Sequence, residues 1–171
     1  QVLRTLAATL GSDCPFFVDC VPSIMRGRGE VLEPLEPEAV ARLSGLRVLL
    51  FRPPFAVPTA WAYGQMVAQP EFYEDKTTAE TLLSDFFKGG SLGDLLHNSF
   101  ELPVGRKFPA IPCLMEKLRG MGSKSLMSGS GSACFTLLEE GDAVDDLAGL
   151  CRSCWGPDMF WVETSIAGRK I

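Results

Sequence analysis

The sequence predicts an α+β fold: a ferredoxin-like βαββαβ sandwich over residues 46–171, preceded by a smaller unit of helix, turn and β-hairpin over 1–45. Three observations predict it. From Arg47 onward the apolar pattern reads strand, helices, strand, strand, helix, strand, which is the split βαβ order with helices on one face of an antiparallel sheet. Glu33 to Gly45 is punctuated by Pro and Glu, a composition shift that marks a boundary between units. Between two of the strands lies Met127-Ser-Gly-Ser-Gly-Ser-Ala-Cys-Phe135, the densest run of small residues in the chain and a natural hairpin connection.

Each element follows from local pattern. Val2, Leu3, Leu6, Ala7 and Leu10 repeat at helical spacing, so a helix is expected over 2–10, stopped by Gly11 and kept from resuming by Pro15. The apolar runs 16–18, 24–25 and 31–32, with Pro22 and the glycine turn Arg26–Glu30 between them, predict an antiparallel pair. A short helical patch is expected around Ala39–Leu43. Arg47–Arg52 is a strand whose consecutive apolar residues predict burial on both faces. After a turn stiffened by Pro53, Pro54 and Pro58, Thr59 is the expected N-cap of a helix to about Val67, with Thr59 and Tyr63 one turn apart on one face.

Helices are further expected from Ala79 to Lys88, closed by Gly89-Gly90, and from Pro109 to Met121, ended by Gly122, with Asp94–Phe100 a short helix or turn between them. Met115 and Met121 read as core. Ser125–Met127 and Cys134–Leu138 are the strands around the Ser/Gly run. A helix over 143–154 and a strand over Met159–Val162 complete the pattern.

Composition narrows the classes of function. A chain of 171 residues with 46% hydrophobic content can bury a proper core as one domain, or one domain and part of another. The net charge of −5 and the lack of any basic block argue against nucleic acid or an anionic membrane as partner. No apolar run reaches the length of a membrane span, and the N-terminus lacks the zones of a signal peptide, so a soluble protein is expected. The six cysteines lack the spacing of a disulfide framework and read as reduced thiols. Cys151 and Cys154 form C-x-x-C without a second pair, and read as small hydrophobes on a helix rather than a metal site. The only histidine, His97, reads as a surface or capping residue. Gln1 already lies inside a helical pattern, from which upstream sequence is expected.

Three features carry chemistry. Asp13, between Gly11 and Pro15, is either a turn former or a carboxylate available to a substrate proton. Thr59 and Tyr63 put a hydroxyl and an aromatic ring on one helix face. Ser128, Gly129, Ser130, Gly131 and Ser132 present nearly bare backbone, which is either a ligand-free hairpin loop or a run of N–H groups suited to a phosphate. A phosphoryl transferase needs a carboxylate, donors at the phosphate, and positive charge or metal. There is no G-x-x-x-x-G-K-[ST], so a P-loop NTPase is unsupported.

The segments Leu10–Phe17, Arg26–Glu30, Pro58–Tyr63, Asn98–Glu101 and Met127–Phe135 occur in an order that resembles the GHMP small-molecule kinase superfamily, in the branch acting on a cytidine-linked substrate. The resemblance covers essentially the whole chain. It implies that 1–45 ends the superfamily's N-terminal domain and that 46–171 is its C-terminal domain. It implies ATP as co-substrate, with Mg2+, and no resident metal site in this chain. The implied reaction is phosphorylation of the 2-hydroxyl of 4-diphosphocytidyl-2-C-methyl-D-erythritol, in the methylerythritol phosphate route to isoprenoids.

By resemblance, Asp13 is the catalytic aspartate, Tyr63 faces the cytosine, Thr59 and Ser12 line the substrate pocket, and Ser128–Ser132 border the phosphates. Arg26–Glu30 and Asn98–Glu101 read as structural. The superfamily's catalytic lysine and long ATP loop belong to a portion that would precede Gln1. The implied partner is therefore the N-terminal half of the same protein, without which this chain is expected to be inactive. The implied compartment is bacterial cytoplasm or a plastid. Two alternatives stay open: another GHMP kinase acting on homoserine, mevalonate or a sugar, and a non-catalytic ferredoxin-like ligand-binding module.

Overall fold

A computed structural model describes residues 2–167. The chain divides into two units, Gln1–Gly45 with Ile166–Ile171, and Leu46–Ser165.

In the first unit, α1 spans Val2–Ala8 and a single helical turn, α2, spans Phe16–Asp19. The run 16–18 is therefore helical rather than extended. Pro15 supplies its start, and the left-handed Cys20 (φ 49°) ends it, as a residue past a helix C-terminus does. Arg4 on α1 pairs with Asp19 on α2 at 2.6 Å. The antiparallel pair is β1 (Ser23–Arg26) with β2 (Val31–Pro34), registered from Ser23 opposite Pro34 to Arg26 opposite Val31. The connecting turn needs left-handed backbone at Gly27 and Gly29, and the Glu30 carboxylate closes it by accepting the Arg28 N–H at 2.6 Å. A bond from its own N–H, and then that from Arg28, hold the Glu30 carboxyl below its ordinary pKa. Helix α3 (Pro37–Leu43) begins on a proline, whose missing N–H costs nothing in a first turn.

The second unit is built on β3 (Arg47–Arg52), β4 (Lys124–Met127), β5 (Cys134–Leu138) and β6 (Phe160–Ser165). They form one antiparallel sheet in the order β4-β5-β3-β6, the ferredoxin-like arrangement expected of this sequence. Helices α4 (Thr59–Ala68), α5 (Lys76–Phe87), α6 (Glu101–Lys107) and α7 (Ala110–Gly120) fill the first crossover, and α8 (Val144–Trp155) the second.

Leu49 and Phe51 of β3, Met127 of β4 and Cys134 of β5 share one sheet face and are buried against Val104 of α6, Leu114 and Leu118 of α7 and Cys151 of α8. The register brings Ser125 opposite Thr136 on that same face, where their hydroxyls bond at 2.6 Å and so satisfy each other in the core. Trp155 donates its indole N–H to the Ala110 carbonyl at 2.8 Å.

Burial of β3 on both faces holds for Val48 but not for Leu50, which is half-buried on the side away from the helices. On that side Phe160 and Val162 of β6 are exposed. Met115 lies in the core as expected, but Met121, one residue past α7, is 66% exposed: the helix ends before its apolar face would carry Met121 inward. No helix among the described residues is long and apolar enough to cross a membrane.

Candidate functional site

The Ser/Gly run is the connection between β4 and β5, and its geometry follows from its residue types. Gly129 (φ 55°) and Gly131 (φ 81°) both adopt left-handed backbone. A Cβ at Gly131 would lie 2.8 Å from Met127 Sδ, so only glycine fits there, whereas a Cβ at Gly129 would meet open space. Inside the loop the Ser128 N–H donates to the Ala133 carbonyl at 2.8 Å and the Gly131 N–H to the Ser128 carbonyl at 3.0 Å. Among the described residues, the N–H groups of Gly129, Ser130 and Ser132 donate to no protein acceptor. Successive free N–H groups in a turn of left-handed backbone form a concavity that takes an anion.

The serines have different tasks. Ser132 is buried and donates its hydroxyl to the Phe55 carbonyl at 2.7 Å, tying the loop to the segment before α4. Ser130 is half-buried, with its Oγ 3.1 Å from Thr59 Oγ1. Ser128 is exposed.

Thr59 is not the N-cap. Pro58 holds that position, and Thr59 is the first helical residue, its hydroxyl turned to Ser130 instead of to the helix. With no side-chain cap, the first N–H groups of α4 remain without intrahelical acceptors. They and the loop N–H groups make this corner of the second unit a region of backbone donors. Tyr63, one turn further along α4, is 54% exposed and meets Phe100 edge-on with ring centroids 4.9 Å apart. Phe100 thus sets the tilt of a ring whose remaining surface is open to a planar ligand.

The loop is also held from outside. Asn98 donates to the carbonyls of Met127 (2.7 Å) and Gly129 (2.8 Å), and its own carbonyl accepts the Phe100 N–H at 2.9 Å. Glu101 accepts the Met127 N–H at 2.9 Å. The segment Asn98–Glu101, read from the sequence as structural, supports both the loop and the tyrosine. Arg119 and Phe55 were not legible as site residues. The link of Phe55 to Ser132 joins segments 77 residues apart, and Arg119 reaches Ser125 across the turn after α7 and Glu101 on another helix, none of which a local pattern reveals.

The structure brings Thr59, Tyr63 and Ser128–Ser132 together. Ser12 and Asp13 belong to the first unit, where Ser12 is half-buried and Asp13 exposed in the turn between α1 and α2. The Asp13 backbone carbonyl accepts the Phe16 N–H at 3.1 Å, while its carboxylate has no hydrogen-bond or ion-pair partner among the described residues. A Cβ at Gly29 would touch Asp13 Cβ at 3.4 Å, so the β1–β2 turn packs against this aspartate. His97 is an exposed residue whose Nε2 lies 3.2 Å from Glu74 Oε2, in accord with a surface role. Among the described residues no three His, Cys, Asp or Glu side chains are grouped to hold a metal ion.

Residues 82–154 match the family described as GHMP kinases C terminal. Three similar proteins bear the name 4-diphosphocytidyl-2-C-methyl-D-erythritol kinase. The one from Microcystis aeruginosa is 32% identical over 177 aligned positions, covering 94% of this chain and 55% of that protein. The one from Gloeobacter violaceus is 30% identical, covering 97% and 55%, and the one from Thermus thermophilus 35%, covering 95% and 54%. A crystal structure of 4-(cytidine 5'-diphospho)-2C-methyl-D-erythritol kinase superposes with a TM-score of 0.69 at 32% identity, over 96% of this chain and 57% of that one. The chain spans about half the length of the curated relatives it matches.

Proposed function

Because this chain carries a GHMP kinase C-terminal domain, we propose that it is the C-terminal portion of an ATP-dependent kinase acting on the 2-hydroxyl of 4-diphosphocytidyl-2-C-methyl-D-erythritol. The observation that carries the reading is the exposed face of Tyr63, set on Phe100 one helical turn from Thr59, which in turn touches the loop of free N–H groups. A ring that is open on one face beside anion donors suits a base joined to a diphosphate. The names of the similar proteins support the same substrate.

The chemistry assigned to this chain is positioning and proton acceptance. Asp13 orients the 2-hydroxyl and accepts its proton as the oxygen attacks the γ-phosphorus of ATP; the bond to the β,γ-bridging oxygen breaks and ADP leaves. Tyr63 stacks on the cytosine, Thr59 and Ser12 are each assigned a contact with the substrate, and the N–H groups of Gly129, Ser130 and Ser132 face phosphate oxygens. Mg2+ would accompany the ATP phosphates and offset their charge. The site is completed by the sequence that the relatives have beyond this chain's span, so the 171 residues alone are expected to transfer nothing. The compartment proposed is the bacterial cytoplasm, with a plastid as the alternative.

The test is acceptor choice. With the full-length protein and γ-labelled ATP, label is expected on the cytidine-linked acceptor and not on homoserine, mevalonate or a sugar; transfer to one of those instead would overturn the substrate assignment.

A further inference from the structure

β4 lies at an edge of the sheet, so its outward backbone groups have no neighbouring strand. The register with β5 turns the N–H and C=O groups of Leu126 and Ser128 inward, and those of Ser125 and Met127 outward. Exposed groups of this kind normally invite another strand or water. Here side chains take them. Arg119, at the end of α7, donates to the Ser125 carbonyl from Nε (3.1 Å) and Nη2 (3.0 Å). The same Nη2 reaches both carboxylate oxygens of Glu101, at 2.7 and 2.8 Å. Glu101, in the first turn of α6, accepts the Met127 N–H, and Asn98 donates to the Met127 and Gly129 carbonyls. Each charge also sits at the helix end whose dipole favours it.

We infer that Asn98, Glu101 and Arg119 are positioning residues, standing in for a fifth strand along β4 and so fixing where the Ser/Gly loop begins. This rests on the reading of that loop as the phosphate-facing element. Ser125, Met127 and Gly129 are consecutive outward positions, and the last of them lies in the loop itself. The clamp thus continues the order of the sheet past Met127, to the point where free N–H groups must hold still to meet a phosphate. Asn98 is fully committed: its carbonyl accepts the Phe100 N–H while its amide nitrogen donates twice, which fixes its orientation. The same residue therefore couples the loop to the phenyl ring under Tyr63.

Two near-isosteric substitutions test this. Asn98→Asp keeps size but turns the double donor into an anion facing two carbonyl oxygens. Glu101→Gln keeps an acceptor for the Met127 N–H, whereas Glu101→Ala removes it. The first readout is amide hydrogen exchange on the 171-residue chain. Exchange at Ser128 and Gly131 is expected to quicken about tenfold or more in Asn98→Asp and Glu101→Ala, less in Glu101→Gln, with Leu49 and Thr136 unchanged.

The second readout is phosphoryl transfer by the full-length protein. There kcat is expected to fall about 100-fold, the cost of a misplacement near 1 Å, while KM for the cytidine-linked substrate holds. Loop exchange equal to wild type, equal quickening of core and loop, or an unchanged kcat would each overturn the inference. If the wild-type protein transfers phosphoryl to no acceptor, the kinase reading fails and the exchange data alone decide the clamp.

Discussion

Tyr63 and Gly131 carry the sharpest predictions at the scale of single residues. Removing the ring in Tyr63→Ala should raise KM for the cytidine-linked substrate by the equivalent of about 1–3 kcal/mol, the usual worth of stacking one base, while Tyr63→Phe should leave it near wild type. Steady-state kinetics on the full-length protein checks this. Gly131→Ala should cost more activity than Gly129→Ala, because both strain a left-handed backbone but only the first drives a methyl against Met127. Not all of this was legible beforehand. The Gly/Ser spacing announced the loop and the helical spacing put Thr59 and Tyr63 on one face. The cap assigned to Thr59 was wrong, since Pro58 occupies that position and the hydroxyl finds Ser130, 71 residues away. Arg119 was invisible for a different reason: at the end of an amphipathic helix a long cation looks solvated until its fork is seen around Ser125 and Glu101.

Among the elements, α7 should dominate stability in the second unit, because Ile111, Leu114, Met115 and Leu118 all point into the core. Leu118→Ala should lower unfolding free energy by about 2–5 kcal/mol in urea denaturation. Helix α5 depends on Asp75, which accepts the Thr78 N–H at 3.0 Å and whose pKa lies below the ordinary aspartate value because of that bond. The folded value is the lower one, so the cap's contribution is present above the unfolded pKa and is lost as pH falls through the folded value. Amide exchange at Thr78 should therefore quicken relative to its intrinsic rate on acidification below about pH 4, and a protection factor independent of pH there would refute it.

Helix α6 escaped the sequence altogether, since Pro103 and Gly105 are poor helix formers. Pro103 falls in the first turn, where no N–H is missed, and at Gly105 a Cβ would come within 3.1 Å of Pro112, so the glycine lets α6 pack closely on α7. By contrast the strands 47–52 and 134–138 were legible to the residue, because their apolar runs are bounded by turn residues on both sides.

For the molecule as a whole, thiol chemistry reports the core. Burial pushes Cys134 and Cys151 up to about 12, while Cys20 and Cys113 are exposed. Native protein should react with a thiol reagent first at Cys20 and Cys113, and at Cys134 and Cys151 only after unfolding. The buried thiols keep their protons when those of the unfolded chain, with pKa near 8.5, lose theirs, so stability should fall as pH rises above about 8.5. A urea midpoint that drops between neutral pH and about pH 9.5, and drops less in Cys151→Ala, would bear this out; a rise would not. The β4-β5-β3-β6 sheet was legible at this scale from the element order alone. What the order could not convey was which side chains complete the sheet's edge.

The phosphoryl-transfer step proposed for this protein turns on Asp13. The direct measurement is transfer of labelled γ-phosphate from ATP to 4-diphosphocytidyl-2-C-methyl-D-erythritol by the full-length protein, with and without Asp13→Asn. Transfer to the 2-hydroxyl is predicted for the wild type, with a fall of about 10²- to 10⁴-fold in the variant. No transfer by the wild type, or undiminished transfer by the variant, would contradict it.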